Sequence, residues 1–302
     1  MGVSVTEYLG QRVDISSPSI SPVQGVNMRC PFMAAACTKI AQGNKPVCSV
    51  RRADGRLWIV CRNRLCATRK NIPLSTYQVG VLLSVAQCVF GVHVTSQDIY
   101  VKREVAMPVA DESNYSADFI MVVNPQKAPR TGQSRVVLEM QGGGETSNTG
   151  ELTAQVRTWE YTLPHSNHIL SAMVRKCNPI ITNAWRRQQE QFLVKGNIAQ
   201  QTGGGIVFCV GSLLYDYLIK KLEDANLPNL RAHNWTLALI GFSENTSSAP
   251  TPGPIPMVID STRLMFTNYV SFTQALINQG NPAPAIFKGQ FEILAGGTIF
   301  MP

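Results

Sequence analysis

Apolar and polar positions change period along the chain, and that change sets out its elements. From Asn71 to about Gly91 the run IPLSTYQVGVLLSVAQCVFG carries apolar residues at mixed helical spacing behind Ser75 or Thr76, either of which suits an N-cap, so a helix is predicted there. ADFIMVVN at 117–124 and RVVLEMQ at 135–141 are apolar and rich in β-branched residues, and the turn-rich PQKAPRTGQS lies between them. That is the pattern of a hairpin. The polar run Pro179–Gln201 is compatible with a helix, Ile206–Val210 and Thr236–Phe242 read as strands, and Leu213–Asp224 between them reads as a helix. Residues 1–28, rich in Ser, Pro and Val, look irregular, and SENTSSAPTPGPIP at 243–256 reads as a loop. No internal repeat is found. Strands interleaved with helices predict an α/β (α+β) fold in which helices flank a mixed central sheet. The expected division is an N-terminal segment, 1–70, and a core, 71–302.

Composition narrows the class. The chain has 302 residues, 44% of them hydrophobic and 15% charged, which excludes a disordered or fibrous protein. Its 27 Lys and Arg against 19 Asp and Glu give a formal charge of +8, which favours a polyanionic partner. No apolar run approaches the ~20 residues of a bilayer span, and the N-terminus lacks the pattern of a secretory signal. A cytoplasmic location is expected, with no membrane partner.

Five of the eight cysteines lie between residues 30 and 66. Clustered thiols in a reducing compartment more often hold a metal than a disulfide, and a tetrathiolate site suits zinc, or iron in the same geometry. The alternative is that these are scattered core cysteines, which is how Cys88, Cys177 and Cys209 are read. From Cys37 to Lys70 there are nine Lys and Arg but only one acid, Asp54, so a metal-braced segment here would be suited to gripping phosphates. Arg62 and Arg64, next to Cys61, are candidates for contacting DNA, since a rigidly held Arg can donate two hydrogen bonds to guanine. Trp185-Arg186-Arg187 on a polar helix is a second candidate DNA-contacting face.

Strand alternation puts Glu139 and Gln141 on one face with Met140 turned into the core, and the same face could carry Asp118. With Glu104 upstream, these groups could hold a hard cation such as Mg²⁺ that bridges a phosphodiester and activates water. This is the spacing logic of PD-(D/E)xK nucleases, with Ala117 in place of the proline and Gln141 in place of the lysine. Ordinary surface acids are the alternative. The four histidines, at 93, 165, 168 and 233, have no serine elbow or HExxH pattern with them. Gly142–Gly144 could let the backbone approach DNA closely.

Taken in order, CPF at Cys30, CxK at Cys37 and Lys39, PVCSV around Cys48, WIVCRNR around Cys61, ADF at Asp118, LEMQ at Glu139 and the Trp185–Phe192 segment resemble NotI-like type II restriction endonucleases. The resemblance runs from Cys30 to about Phe242. It implies a PD-(D/E)xK nuclease core and a structural metal, iron where identified, on Cys30, Cys37, Cys48 and Cys61, with Cys66 left outside. It also implies a Mg²⁺-dependent active site of Glu104, Asp118, Glu139 and Gln141, glutamine for lysine being a trait of that family. The expected activity is hydrolysis of both strands of duplex DNA at a short, GC-rich palindrome by a homodimer, paired with a cognate DNA methyltransferase. A non-catalytic, metal-stabilised DNA-binding protein is the rival expectation.

Overall fold

The computed structural model describes residues 2–107, 115–278 and 286–301. Its strands are β1 (Val3–Tyr8), β2 (Gln11–Arg12), β3 (Val47–Arg52), β4 (Leu57–Ile59), β5 (Ile99–Met107), β6 (Tyr115–Val123), β7 (Arg135–Gln141), β8 (Gly205–Gly211), β9 (Leu237–Glu244), β10 (Met257–Thr267), β11 (Gly289–Glu292) and β12 (Thr298–Met301). Its helices are α1 (Thr38–Ala41), α2 (Thr76–Phe90), α3 (Thr149–Tyr161), α4 (Asn167–Leu170), α5 (Ile181–Gln201), α6 (Ser212–Lys221) and α7 (Tyr269–Ile277).

A six-stranded sheet in the order β10-β9-β8-β7-β6-β5 forms the centre. β5, β6 and β7 pair antiparallel, as the hairpin pattern predicts for the last two. β7, β8 and β9 are parallel, and β10 returns antiparallel to β9. Parallel neighbours cannot be joined by a tight turn, so α3 to α5 carry the chain from β7 to β8 and α6 carries it from β8 to β9. Every residue of β8 is buried, as expected of a strand covered on both faces.

Alternation then sorts the side chains. Val136, Leu138 and Met140 of β7 join Val207 and Cys209 of β8 in the core under α2, together with Val81, Val85 and Val89 of that helix. Val137 of β7 and Ile206, Phe208 and Val210 of β8 face the other way, into the core that includes Phe192 of α5, Leu214 of α6 and Phe272 of α7. α2 starts where the sequence places it: the Ser75 hydroxyl accepts from the Gln78 amide, and the Gln78 side chain accepts from the Ser75 amide.

The expectation of an irregular 1–28 is corrected by β1 and β2, which belong to a second sheet of order β2-β1-β3-β4. The alternation in VSVTEY is too short to signal a strand alone, and β3 supplies its hydrogen-bond partners. Val3, Val5, Val50 and Trp58 pack into the same core as Phe192 and Phe208, so the N-terminal sheet leans against the α5 side of the central one. β11 and β12 pair with each other. Among the described residues no helix is long and apolar enough to cross a membrane.

Candidate active site

Register brings the expected acids together. Phe119 pairs with Leu138, which places Asp118 opposite Glu139, while the flanking pairs Arg103–Phe119 and Val105–Ala117 place Glu104 opposite Asp118. Glu104, Asp118 and Glu139 therefore form one row across β5, β6 and β7. Residues facing each other in antiparallel strands share a face of the sheet. The ladder is interrupted at Glu104, whose φ of 45° lies in the left-handed region that a non-glycine residue seldom occupies. Its carboxylate accepts from the Lys70 amide at 2.7 Å.

Asp118 and Glu139 are cross-braced. The Asp118 amide donates to Glu139 Oε1 at 3.4 Å, and the Met140 amide donates to Asp118 Oδ2 at 2.9 Å. Glu139 is 5% exposed, and burial, then the Asp118 charge, push its carboxyl up to about 7 against the pull of Lys195. Burial likewise raises Asp118, with Glu104 adding to the effect and the Met140 hydrogen bond opposing it.

Lys195 of α5 is the charged side chain at the acidic row that sequence reasoning did not find. Its ammonium is 5% exposed and donates to Glu139 Oε2 at 2.7 Å and to the Ser116 carbonyl at 2.6 Å. It lies in a helix expected from sequence, and its spacing from the apolar Phe192 and Ala199 marks it as inward-facing. Gln141 lines the same cleft, but its amide is engaged by its own chain: it donates to the Gly143 carbonyl and accepts from Gln188 Nε2, each at 3.1 Å.

A cleft of ≈ 800 Å³ opens over the row. Lys39, Arg62 and Thr68 line it from the cysteine-bearing segment, and Arg187, Gln188 and Lys195 line it from α5. Thr68 Oγ1 and Gln188 Oε1 are buried in these walls without hydrogen-bond partners. A row of carboxylate oxygens beside orphaned polar oxygens is a donor set that fits a hard, hydrated cation.

Cys30, Cys37, Cys48 and Cys61 come together from four separate stretches into one buried cluster with Phe32 and Met33. The sulfurs feel one another: after burial, Cys61 is the next cause raising Cys48, and Cys61 and Cys37 add to the rise at Cys30. Asn63 Nδ2 points at Cys30 Sγ at 3.8 Å, and the amides of Phe32 and Gly10 serve Cys30 and Cys48. Amide donors around buried sulfurs suit thiolates, so the donor set fits iron or zinc. In the orientations seen, Cys48 Sγ donates to the Pro46 carbonyl, and no three His, Cys, Asp or Glu among the described residues already converge as a metal-binding group. Mg²⁺ needs only one or two carboxylates and keeps its waters, whereas a tetrathiolate site needs all four sulfurs turned to one point. Cys66 stands outside the cluster, buried in the core under α2.

Three expectations are corrected by burial. Arg64 is fully buried: it donates to both Glu7 carboxylate oxygens and stacks over Phe32, so it braces the fold and cannot reach a base edge. Trp185 is buried against Phe192, which leaves Arg186 and Arg187 as the exposed part of that motif. The close approach at Gly142 and Gly143 is to the chain's own Ile59 and Trp58: added Cβ atoms would lie 2.6 and 2.9 Å from those side chains. Arg62 remains exposed, and Arg187 pairs with Glu145 at 3.0 Å.

No family model matches the chain, and a search of curated proteins finds no match. The fold is mixed α+β with a six-stranded central sheet, and the site is read from its own geometry.

Proposed function

We propose that this protein is a Mg²⁺-dependent type II restriction endonuclease with a PD-(D/E)xK-like core, hydrolysing both strands of duplex DNA at a short, GC-rich palindrome. The observation that carries the reading is the row of Glu104, Asp118 and Glu139 at the floor of an open cleft, one wall of which comes from the most basic stretch of the chain. Asp118 and Glu139 would hold the Mg²⁺, which when bound supplies Lewis acidity at the phosphate and an activated water. Lys195 donates to Glu139, and the cleft-lining Arg62, together with Lys39 and Arg187 once released from Val47 and Glu145, would meet the phosphate backbone. Cys30, Cys37, Cys48 and Cys61 would hold one iron or zinc per chain, keeping the basic wall rigid. A homodimer matches a two-fold symmetric site, and a cognate methyltransferase would protect host DNA.

Incubating the purified protein with plasmid DNA and Mg²⁺, then sequencing the ends, tests this reading. Defined cuts at one short palindrome are expected. DNA binding without cleavage would instead leave a non-catalytic, metal-stabilised DNA-binding protein.

A further inference from the structure

We propose that Lys195 is a built-in counter-ion of the acidic row: by occupying one oxygen of Glu139 it limits the row to a single divalent cation and holds Glu139 in the orientation that cleavage needs. This rests on the reading of the row as a cation site. Lys195 acts through Glu139 and is a positioning residue.

Place in the helix is the first argument. One turn before Lys195, Phe192 stacks on Phe208 with ring centroids 3.7 Å apart; one turn after it, Ala199 is 1% exposed. The face therefore packs on the sheet, and an apolar side chain at 195 would satisfy packing. A buried ammonium is costly unless it is paired, and replacing a buried ion pair by apolar residues is often neutral or stabilising. Packing alone does not call for this charge.

Charge is the second argument. Three carboxylates stand in the row, and among the described residues the one charged group hydrogen-bonded to any of them is Lys195, since Glu104 and Asp118 accept from backbone amides. Their formal sum with Lys195 is a charge that one divalent ion cancels. Position 141 of β7, next on the same face, carries no charge, and its amide is tied to Gly143 and Gln188. The cation that the strand lacks is delivered from α5, with the Ser116 carbonyl fixing its direction.

The test is calorimetric titration of the full-length protein with Mn²⁺, at mildly alkaline pH so that the carboxylates are ionised, alongside plasmid cleavage in Mg²⁺. Wild type is expected to bind one Mn²⁺ per chain in the acidic row. Lys195→Met, with wild-type circular dichroism, is expected to bind Mn²⁺ about tenfold tighter or to take up a second ion, because a nearby positive charge has gone. Its cleavage is expected to fall at least about a hundredfold, because Glu139 is no longer held. A merely structural lysine would lower binding and cleavage together. If Lys195→Met does not fold, Lys195→Gln, which removes the charge and whose amide stops one atom short of the position from which Nζ holds Glu139, is expected to show the same split. Unchanged or weaker Mn²⁺ binding in a folded variant, or cleavage at the wild-type rate, overturns the inference alone. Wild type that binds no Mn²⁺ overturns it together with the reading of the row.

Discussion

Asp118 and Glu139 sit opposite each other on neighbouring strands, and both carboxyls are raised by burial. Asp118→Asn or Glu139→Gln is expected to abolish plasmid cleavage while duplex binding, read by gel shift, stays intact or tightens, since one negative charge facing phosphate is removed. The raised carboxyls also fix the sign of a stability effect. Between the unfolded value near 4.5 and about 7, the folded protein keeps a proton on Glu139 that the unfolded chain has released, so stability falls as pH rises through that window. Urea midpoints without divalent metal are therefore expected to drop from about pH 5 to pH 8, and to drop less in Glu139→Gln. Arg64 carries its own prediction. It bonds Glu7 on two oxygens, and Glu7 also accepts from Ser49 and the Ile255 amide, with all of these groups buried. Arg64→Met is expected to cost roughly 3–5 kcal/mol, because it strands the Glu7 charge in the core.

At the scale of the element, α5 makes the site, and its close packing on α7 is set by Gly196. A Cβ there would meet Tyr269 Cε2 at 2.3 Å, and Tyr269 is held by its hydroxyl's hydrogen bond to the Leu193 carbonyl. Gly196→Ala is expected to cost about 1–3 kcal/mol in urea unfolding and to reduce cleavage, because α5 must shift against Tyr269 of α7 and Lys195, the adjacent residue, shifts with it. Apolar, β-branched runs bounded by turn residues made the β6–β7 pair and β8 legible. β1 and β10 were not, since a short run or a half-buried one has no clear period until a neighbour completes it.

For the whole molecule, the cysteine cluster and the acidic row meet across one cleft, because Ile59 packs on Gly142 while the Gly144 amide donates to the Ile59 carbonyl. The two are expected to fail together. Elemental analysis should find close to one iron or zinc per chain. Cys37→Ser or Cys48→Ser is expected to lower metal content, solubility and DNA affinity even with Asp118 and Glu139 untouched. Cys66→Ser, Cys88→Ser and Cys177→Ser are expected to leave metal content unchanged. A metal-free protein that still folds and cuts DNA would reduce the four cysteines to core residues.

The sequence by itself determined the mixed fold, the β6–β7 hairpin and the crowding of five cysteines into residues 30–66, because these follow from local pattern and spacing, while the set of four cysteines came from the resemblance. Only the tertiary structure decided which charges are usable. Arg62 and Arg64 are two residues apart in the same basic run, yet one faces the cleft and the other is sealed against Glu7. Lys195 lies 56 residues from Glu139 and reaches it only because α5 packs across β7 and β8. A charge several turns along a helix leaves no local mark of its partner, since pairing across such a separation depends on how the faces pack and not on the residues beside it.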